Sequence, residues 1–395
     1  MQADPIVIVS YARTPIGNLL GALKPFSAHQ LGSAAIKAAV ERAGLKGEDI
    51  HEVIMGCVLP AGQGQAPARQ AAIHAGIPFS TPCTTINKVC GSSMKAVMFA
   101  HDMLLAGTGD VMVVGGMESM TNAPYLLPKA REGYRLGHQE VIDHMMMDGL
   151  EDAYDKGRPM GYFAEDCAKK FNITREQQDR FSIESLERAR DAIKHHKFER
   201  EIVPLTITTK KGETIVEHDE KPLSVNPEKI PHLNPAFVKD GTITAGNASS
   251  IADGAAALTL MRLSEAEKRG LKPIAKIAAH ASFAKKPAAF TTAPIDATRK
   301  LLQMTGWQSE DVDLFEVNEA FAVVALAFIQ ELKLPRDKVN IHGGACALGH
   351  PIGASGARII VTLLAALEET NGKRGIATLC IGGGEATAIA LEMYA

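Results

Sequence analysis

The chain has 395 residues, more than one hydrophobic core normally serves, so two or more packed units are expected. A net charge of −3 excludes the strong positive field that draws nucleic acid or anionic lipid, and neither partner is expected. Six scattered cysteines (57, 83, 90, 167, 346 and 380) form no C-x-x-C pair and no zinc spacing, which excludes a disulfide scaffold and leaves no metal expected.

In chain order, residues 36–56 read as a helix, a stop at Gly44, a short link, the acidic pair Glu48-Asp49 and an apolar strand. Residues 298–318 repeat this with Gly306 and Glu310-Asp311, at the 262-residue offset that separates Gly44 from Gly306. A helix is expected after Cys90, then a strand at 111–116; another helix after His350 runs through Leu367 to a strand at 376–384. Continuous apolar strands alternating with helices predict parallel sheets covered on both faces, in an α/β fold of two duplicated βαβ halves. Residues 121–245 break the pattern with many Pro, Gly and charged residues. They hold one amphipathic helix, near 174–196, opened by a Thr174/Gln177 capping box. The expected division is 1–120 with 246–270 as the first half, 121–245 as an inserted loop domain, and 271–395 as the second half.

Four stretches carry chemistry. Cys90, in Asn-Lys-Val-Cys-Gly-Ser-Ser, is set between an extended segment and a helix start, where backbone N–H groups and the helix dipole favour thiolate. His350 lies in an equally Gly-rich turn of the second half, and Pro351 suits a first helical position. Shifting Cys90 by the repeat offset lands beside His350, so the two halves can present a thiol and a base to each other. Cys380 ends a strand against Gly382-Gly383-Gly384, whose N–H groups can hold an oxyanion. Asn318 opens Asn-Glu-Ala-Phe after a strand, where a helix N-cap is also natural.

Together, VCGSSMKA, NEAFA, GHPIGASGAR and CIGGG resemble the thiolases, and the acetyl-CoA acetyltransferase type in particular. The resemblance runs from Arg13-Thr-Pro-Ile-Gly17 to the last strand. It implies a five-layered αβαβα core with an inserted loop domain, and a homodimer or homotetramer. It implies Cys90 as acylated nucleophile, His350 as its base, Cys380 as acid/base, and Asn318 with His350 holding one oxyanion hole through a water. The N–H groups of Cys90 and Gly382 would form a second. Ser249, in the TAGNAS stretch, would lie by the pantetheine arm of coenzyme A and Met160 at the acyl pocket, with Ala248 and Phe321 also among the substrate and CoA contacts. Acyl-CoA and CoA would be the substrates, with no further cofactor.

This sequence departs from the family pattern at Pro159, where His is frequent, at His342 and Cys346, and at Lys221-Pro222-Leu223, which lacks an Arg. Lys129, Arg131, Arg135, Lys210 and Lys211 are basic candidates for CoA phosphates. A longer-chain 3-ketoacyl-CoA thiolase shares every motif. A carrier-protein-dependent ketoacyl synthase would lack Cys380, and a non-catalytic acyl-CoA binder would have lost a reactive residue. The opening residues lack a basic segment before an apolar core, the apolar run 320–329 is too short for a bilayer, and Met-Tyr-Ala is no peroxisomal address; a cytoplasmic location away from membranes is expected.

Overall fold

The computed structural model describes residues 4–210 and 212–394. The first half contains β1 (Ile6–Arg13), α1 (Ala28–Arg42), β2 (Glu52–Gly56), α2 (Pro67–His74), β3 (Cys83–Ile86), α3 (Ser92–Leu105) and β4 (Val111–Ser119). After α4 (Met160–Phe171) and α5 (Arg175–Lys194), β5 (Ala252–Arg262) returns to the sheet. The second half has β6 (Ala275–Ala284), α6 (Ala293–Thr305), β7 (Leu314–Val317), α7 (Ala322–Leu332), α8 (Ser355–Thr370), β8 (Arg374–Ile381) and β9 (Glu385–Met393).

The strands hydrogen-bond in the order β7-β8-β9-β6-β1-β5-β4-β2-β3. The halves meet at a narrow seam, where β1 pairs β6 only through Val7 with Lys276 and Ile8 with Ala275. Strand polarity corrects the all-parallel expectation. β2 runs parallel to β3 and β4, and β7 parallel to β8, but β1–β5, β4–β5, β6–β9 and β8–β9 are antiparallel. A continuous apolar run reports that both faces are covered; it carries no information about direction.

That coverage makes five layers. Val7 and Val9 of β1, with Val111 and Val113 of β4, face α1 and α2. Ile6 and Ile8, with Met112 and Val114, point the other way onto α3 and α8, which also receive Ala377 and Leu379 of β8. The outer face of the second half packs on Leu301 of α6 and Phe328 of α7. The period of two in each strand thus sends alternate residues into two different cores. α3 and α8 form the shared middle layer, so close that a Cβ on Gly356 would fall 2.5 Å from the Met94 backbone nitrogen.

The repeat offset holds in three dimensions. Gly47–Asp49 and Ser309–Asp311 form equivalent 3-10 turns, and Gly44 and Gly306 end α1 and α6 at φ of 68° and 70°. The segment between β4 and β5 leaves and rejoins neighbouring strands, since Ser119 pairs Asp253. Within it, Thr174 caps α5 with the expected capping box. Arg13 ties this segment to β1: its buried guanidinium binds Asp219 at 2.7 Å and Glu201 at 2.9 Å. No described helix is long and apolar enough to cross a membrane.

Candidate active site

Cys90 sits where β3 gives way to α3. Val89 before it has φ of 48°, a left-handed conformation that a β-branched residue adopts only under constraint. The turn is locked by the Gly91 N–H to the Lys88 carbonyl (3.0 Å), the Ser92 N–H to the Val89 carbonyl (3.1 Å), and the Ser92 hydroxyl to that same carbonyl (2.7 Å). Gly91 has no room for a side chain, because a Cβ would meet Ile381 Cδ1 at 2.3 Å. This close approach brings the end of β8 against the nucleophile turn, and the N–H groups of Gly382 and of Cys90 itself are directed at the Cys90 sulfur.

Burial pushes the Cys90 thiol up to about 11, and those two N–H groups only partly offset it. The thiolate expected from the helix start is corrected: at neutral pH the group is a thiol, because desolvation outweighs the donors. Cys380 is 1% exposed, and burial with the neighbouring Cys90 holds its thiol well above the ordinary value.

His350 stands in the turn before α8. Its Nδ1 lies 2.6 Å from the Ser355 hydroxyl, which itself donates to the Pro351 carbonyl at 2.9 Å. Ser355 is thereby an acceptor toward the ring, which fixes the proton on Nδ1 and leaves Nε2 with a free lone pair. Nε2 faces Asn318 Nδ2 at 3.5 Å, and Asn318 Oδ1 is buried with no hydrogen bond among the described residues, free to accept from a water or substrate group. Burial, then the Arg358 charge, lowers His350 to about 3, so the ring is neutral at physiological pH.

Three local expectations are corrected. Pro351 is not a first helical residue: α8 starts at Ser355, and Pro351 receives the Ala354 and Ser355 N–H groups in a turn. Asn318 caps no helix, since α7 begins at Ala322 behind Phe321. The strand placed at 376–384 ends at Ile381, with Gly382–Gly384 forming a turn.

The remaining candidates gather on the same side. Ala248 bridges Phe321, the Ser249 N–H donates to the Ala320 carbonyl at 2.9 Å, and the His350 N–H donates to the Ser250 carbonyl at 3.0 Å. Met160, Phe321, Ala248 and Cys380 share one apolar cluster, and Met160 Sδ would lie 3.4 Å from a Cβ on Gly382. Cys346 lies beneath, donating to the Asn247 and Glu319 carbonyls at 3.7 and 3.6 Å. His342 packs edge-on against Phe198, ring centroids 6.0 Å apart, and faces Glu369 at 2.9 Å. Lys129, Arg131, Arg135 and Lys210 are exposed, and Lys211 lies outside the described residues.

Sequence reasoning missed the supports. Ser355 orients the histidine, Val89 carries the strained turn, and Glu118 is a buried carboxylate below the site. A lone acid inside the run VMVVGGMES was the available signal for Glu118.

Residues 6–264 match the thiolase N-terminal domain and residues 271–393 the thiolase C-terminal domain. An acetyl-CoA acetyltransferase of Chromobacterium violaceum is 48% identical over 394 residues, covering 98% of this chain and 99% of that one. The mitochondrial acetyl-CoA acetyltransferase of Mus musculus is 49% identical over 391 residues, covering 98% and 91%. The crystal structure of Acat5 thiolase from Ascaris suum in complex with coenzyme A superposes with a TM-score of 0.93 at 44% identity, covering 99% of this chain and all of the other. With both domains matched in order across nearly its whole length, the chain belongs to the thiolase family.

Proposed function

We propose that this protein is an acetyl-CoA C-acetyltransferase, catalysing the reversible exchange between acetoacetyl-CoA plus CoA and two acetyl-CoA through an acyl-Cys90 intermediate. The observation that carries the reading is the meeting of the halves: the Gly382 N–H of one is aimed at the Cys90 sulfur of the other. The names of the relatives and the CoA in the Ascaris suum neighbour support the substrate class.

In the cleavage direction, the Cys90 sulfur attacks the 3-keto carbon while its proton passes to His350 Nε2. A thiol pushed up to about 11 and an imidazole lowered to about 3 do not form a resting ion pair, so proton transfer accompanies attack. As the carbon–carbon bond breaks, the Cys380 thiol protonates the departing carbanion, giving acetyl-CoA. Its raised pKa keeps that proton in place until then. Free CoA then attacks acyl-Cys90, its thiol proton passing to the Cys380 thiolate while protonated His350 returns its proton to the departing Cys90 sulfur, so that each group ends as it began. Condensation is the reverse. The N–H pair on the sulfur is placed to stabilise the thioester oxygen, while Asn318 and His350 serve the other carbonyl. Two half-reactions sharing one covalent intermediate give ping-pong kinetics.

The apolar cluster of Met160, Phe321 and Cys380 supports a short acyl group. A homodimer or homotetramer goes with the reading, supported by β3, which ends the sheet with an unpaired edge beside the exposed Phe99; light scattering tests it. Six free cysteines support a reducing, cytoplasmic setting, which cell fractionation tests. Thiolysis of acetoacetyl-CoA, with Cys90→Ala and a six-carbon ketoacyl-CoA in parallel, tests the activity. Turnover of the four-carbon substrate that vanishes in the variant is expected. Turnover retained by the variant, or confined to the longer substrate, would overturn the assignment of the nucleophile or of the chain length.

A further inference from the structure

Away from the reactive cysteines, α3 and β6 bring three side chains to one point on the surface. Asp102 Oδ1 lies 2.9 Å from His101 Nδ1 and 2.9 Å from His280 Nε2, and the two ring nitrogens are 3.2 Å apart. The rings meet edge to face, centroids 4.8 Å apart. Among the described residues, no other group of three or more His, Cys, Asp and Glu side chains converges in this way.

The triangle has the dimensions of three ligands sharing an ion. A point about 2.1 Å from all three atoms, a zinc–nitrogen or zinc–oxygen distance, lies about 1.2 Å above their plane. Opening each edge by a few tenths of an ångström gives the spacing of a tetrahedral face. The side chains of His101 and His280 are mostly enclosed (14% and 16% exposed) and Asp102 is open at 58%, which leaves an outward position for water. Without the ion each ring donates an N–H to Asp102; on binding, the neutral ring carries its proton on its other nitrogen and turns the lone pair to the metal. Two imidazoles and one carboxylate suit zinc and its neighbours in the first transition row, and do not suit the hard, oxygen-seeking magnesium or calcium.

We propose that His101, Asp102 and His280 bind one divalent transition-metal ion, best matched by zinc, with water as the fourth ligand. The ion fastens the helix that follows Cys90 to a strand of the opposite half. It is a structural clamp, remote in role from acyl transfer.

The test uses the chelator-treated full chain, titrated with Co2+ as a spectroscopic probe and with Zn2+ for thermal stability. His101→Gln and His280→Gln remove an imidazole ligand while leaving a polar amide beside Asp102. The parent is expected to take up one Co2+ per chain, with weak visible bands and no intense sulfur-to-cobalt absorption. Each variant should bind at least tenfold more weakly. Zn2+ should raise the Tm of the parent alone, with metal-free Tm and thiolysis unchanged across the three proteins. Should a Gln variant fail to fold, Asp102→Asn keeps an oxygen for both ring N–H groups, removes the charge, and should also lose the ion. Equal Co2+ affinity in parent and variants, no uptake by the parent, or uptake dominated by sulfur-to-cobalt absorption would overturn the proposal.

Discussion

The backbone N–H of Gly353 donates to the buried carboxylate of Glu118 at 2.9 Å, joining the turn that carries His350 to a strand of the other half. The same carboxylate receives the Val58 and Leu59 N–H groups at 3.0 and 3.1 Å. Burial raises its pKa to about 7 against the pull of those three donors.

Glu118→Ala therefore strands three buried N–H groups, each costing about 1–3 kcal/mol. The variant should lose several kcal/mol in urea unfolding, and its thiolysis kcat should fall by more than its KM changes, because His350 loses its support. A loss below about 1 kcal/mol would mean that water replaces the carboxylate at no cost.

Cys90 should alkylate as a thiol. Its reaction with iodoacetamide, followed by mass spectrometry of the Cys90 peptide, should accelerate about tenfold per pH unit above neutrality without levelling off below about pH 10, in keeping with a thiol raised to about 11. A plateau near pH 7 would reveal a thiolate–imidazolium pair at rest and contradict concerted transfer.

His350 shapes acid stability. Its folded pKa of about 3 lies below the ordinary histidine value of 6.5. The unfolded chain thus binds the proton first, and stability is lost as pH falls from 6.5 toward 3. This single group contributes a slope of up to about 1.4 kcal/mol per pH unit. His350→Asn should flatten that part of the profile in denaturant titrations, and an unchanged profile would assign the acid sensitivity elsewhere. Ser355→Ala should lower kcat in the thiolysis assay and cost about 1–3 kcal/mol in urea unfolding, since the buried ring N–H loses the acceptor that fixes its tautomer.

Arg13 is fully enclosed between Asp219 and Glu201. Arg13→Ala leaves two buried carboxylates without their cation and should cost about 3–5 kcal/mol. Limited proteolysis should then cut first in the segment between β4 and β5, which keeps its backbone pairs with Arg13 but loses the side-chain anchor to β1. Parent-like resistance would show that this ion pair does not anchor the segment.

Much of the site was legible because its residues announce themselves locally. Cys90, His350 and Cys380 each stand in a Gly-rich turn at a strand or helix end, and the duplicated pattern with its conserved offset predicted that the halves face one another. What escaped notice was tertiary. Glu118 is 60 residues from Val58 and 235 from Gly353, and no local pattern joins them. Strand polarity escaped because two-sided burial produces the same apolar run in either direction. The thiol state of Cys90 escaped because a helix start signals donors but not how far the surrounding protein strips water from the sulfur.

The narrow seam between the halves has an evolutionary consequence. Two backbone pairs cannot set the angle between the two halves of the sheet, so the alignment is kept by α3 against α8, which start two residues after Cys90 and five after His350. Positions such as Met94 and Gly356, which act as the contact between those helices, thus tune the chemistry by remote leverage. Substitutions there should appear in drift as paired changes, one compensating the other, although neither residue belongs to the reactive group.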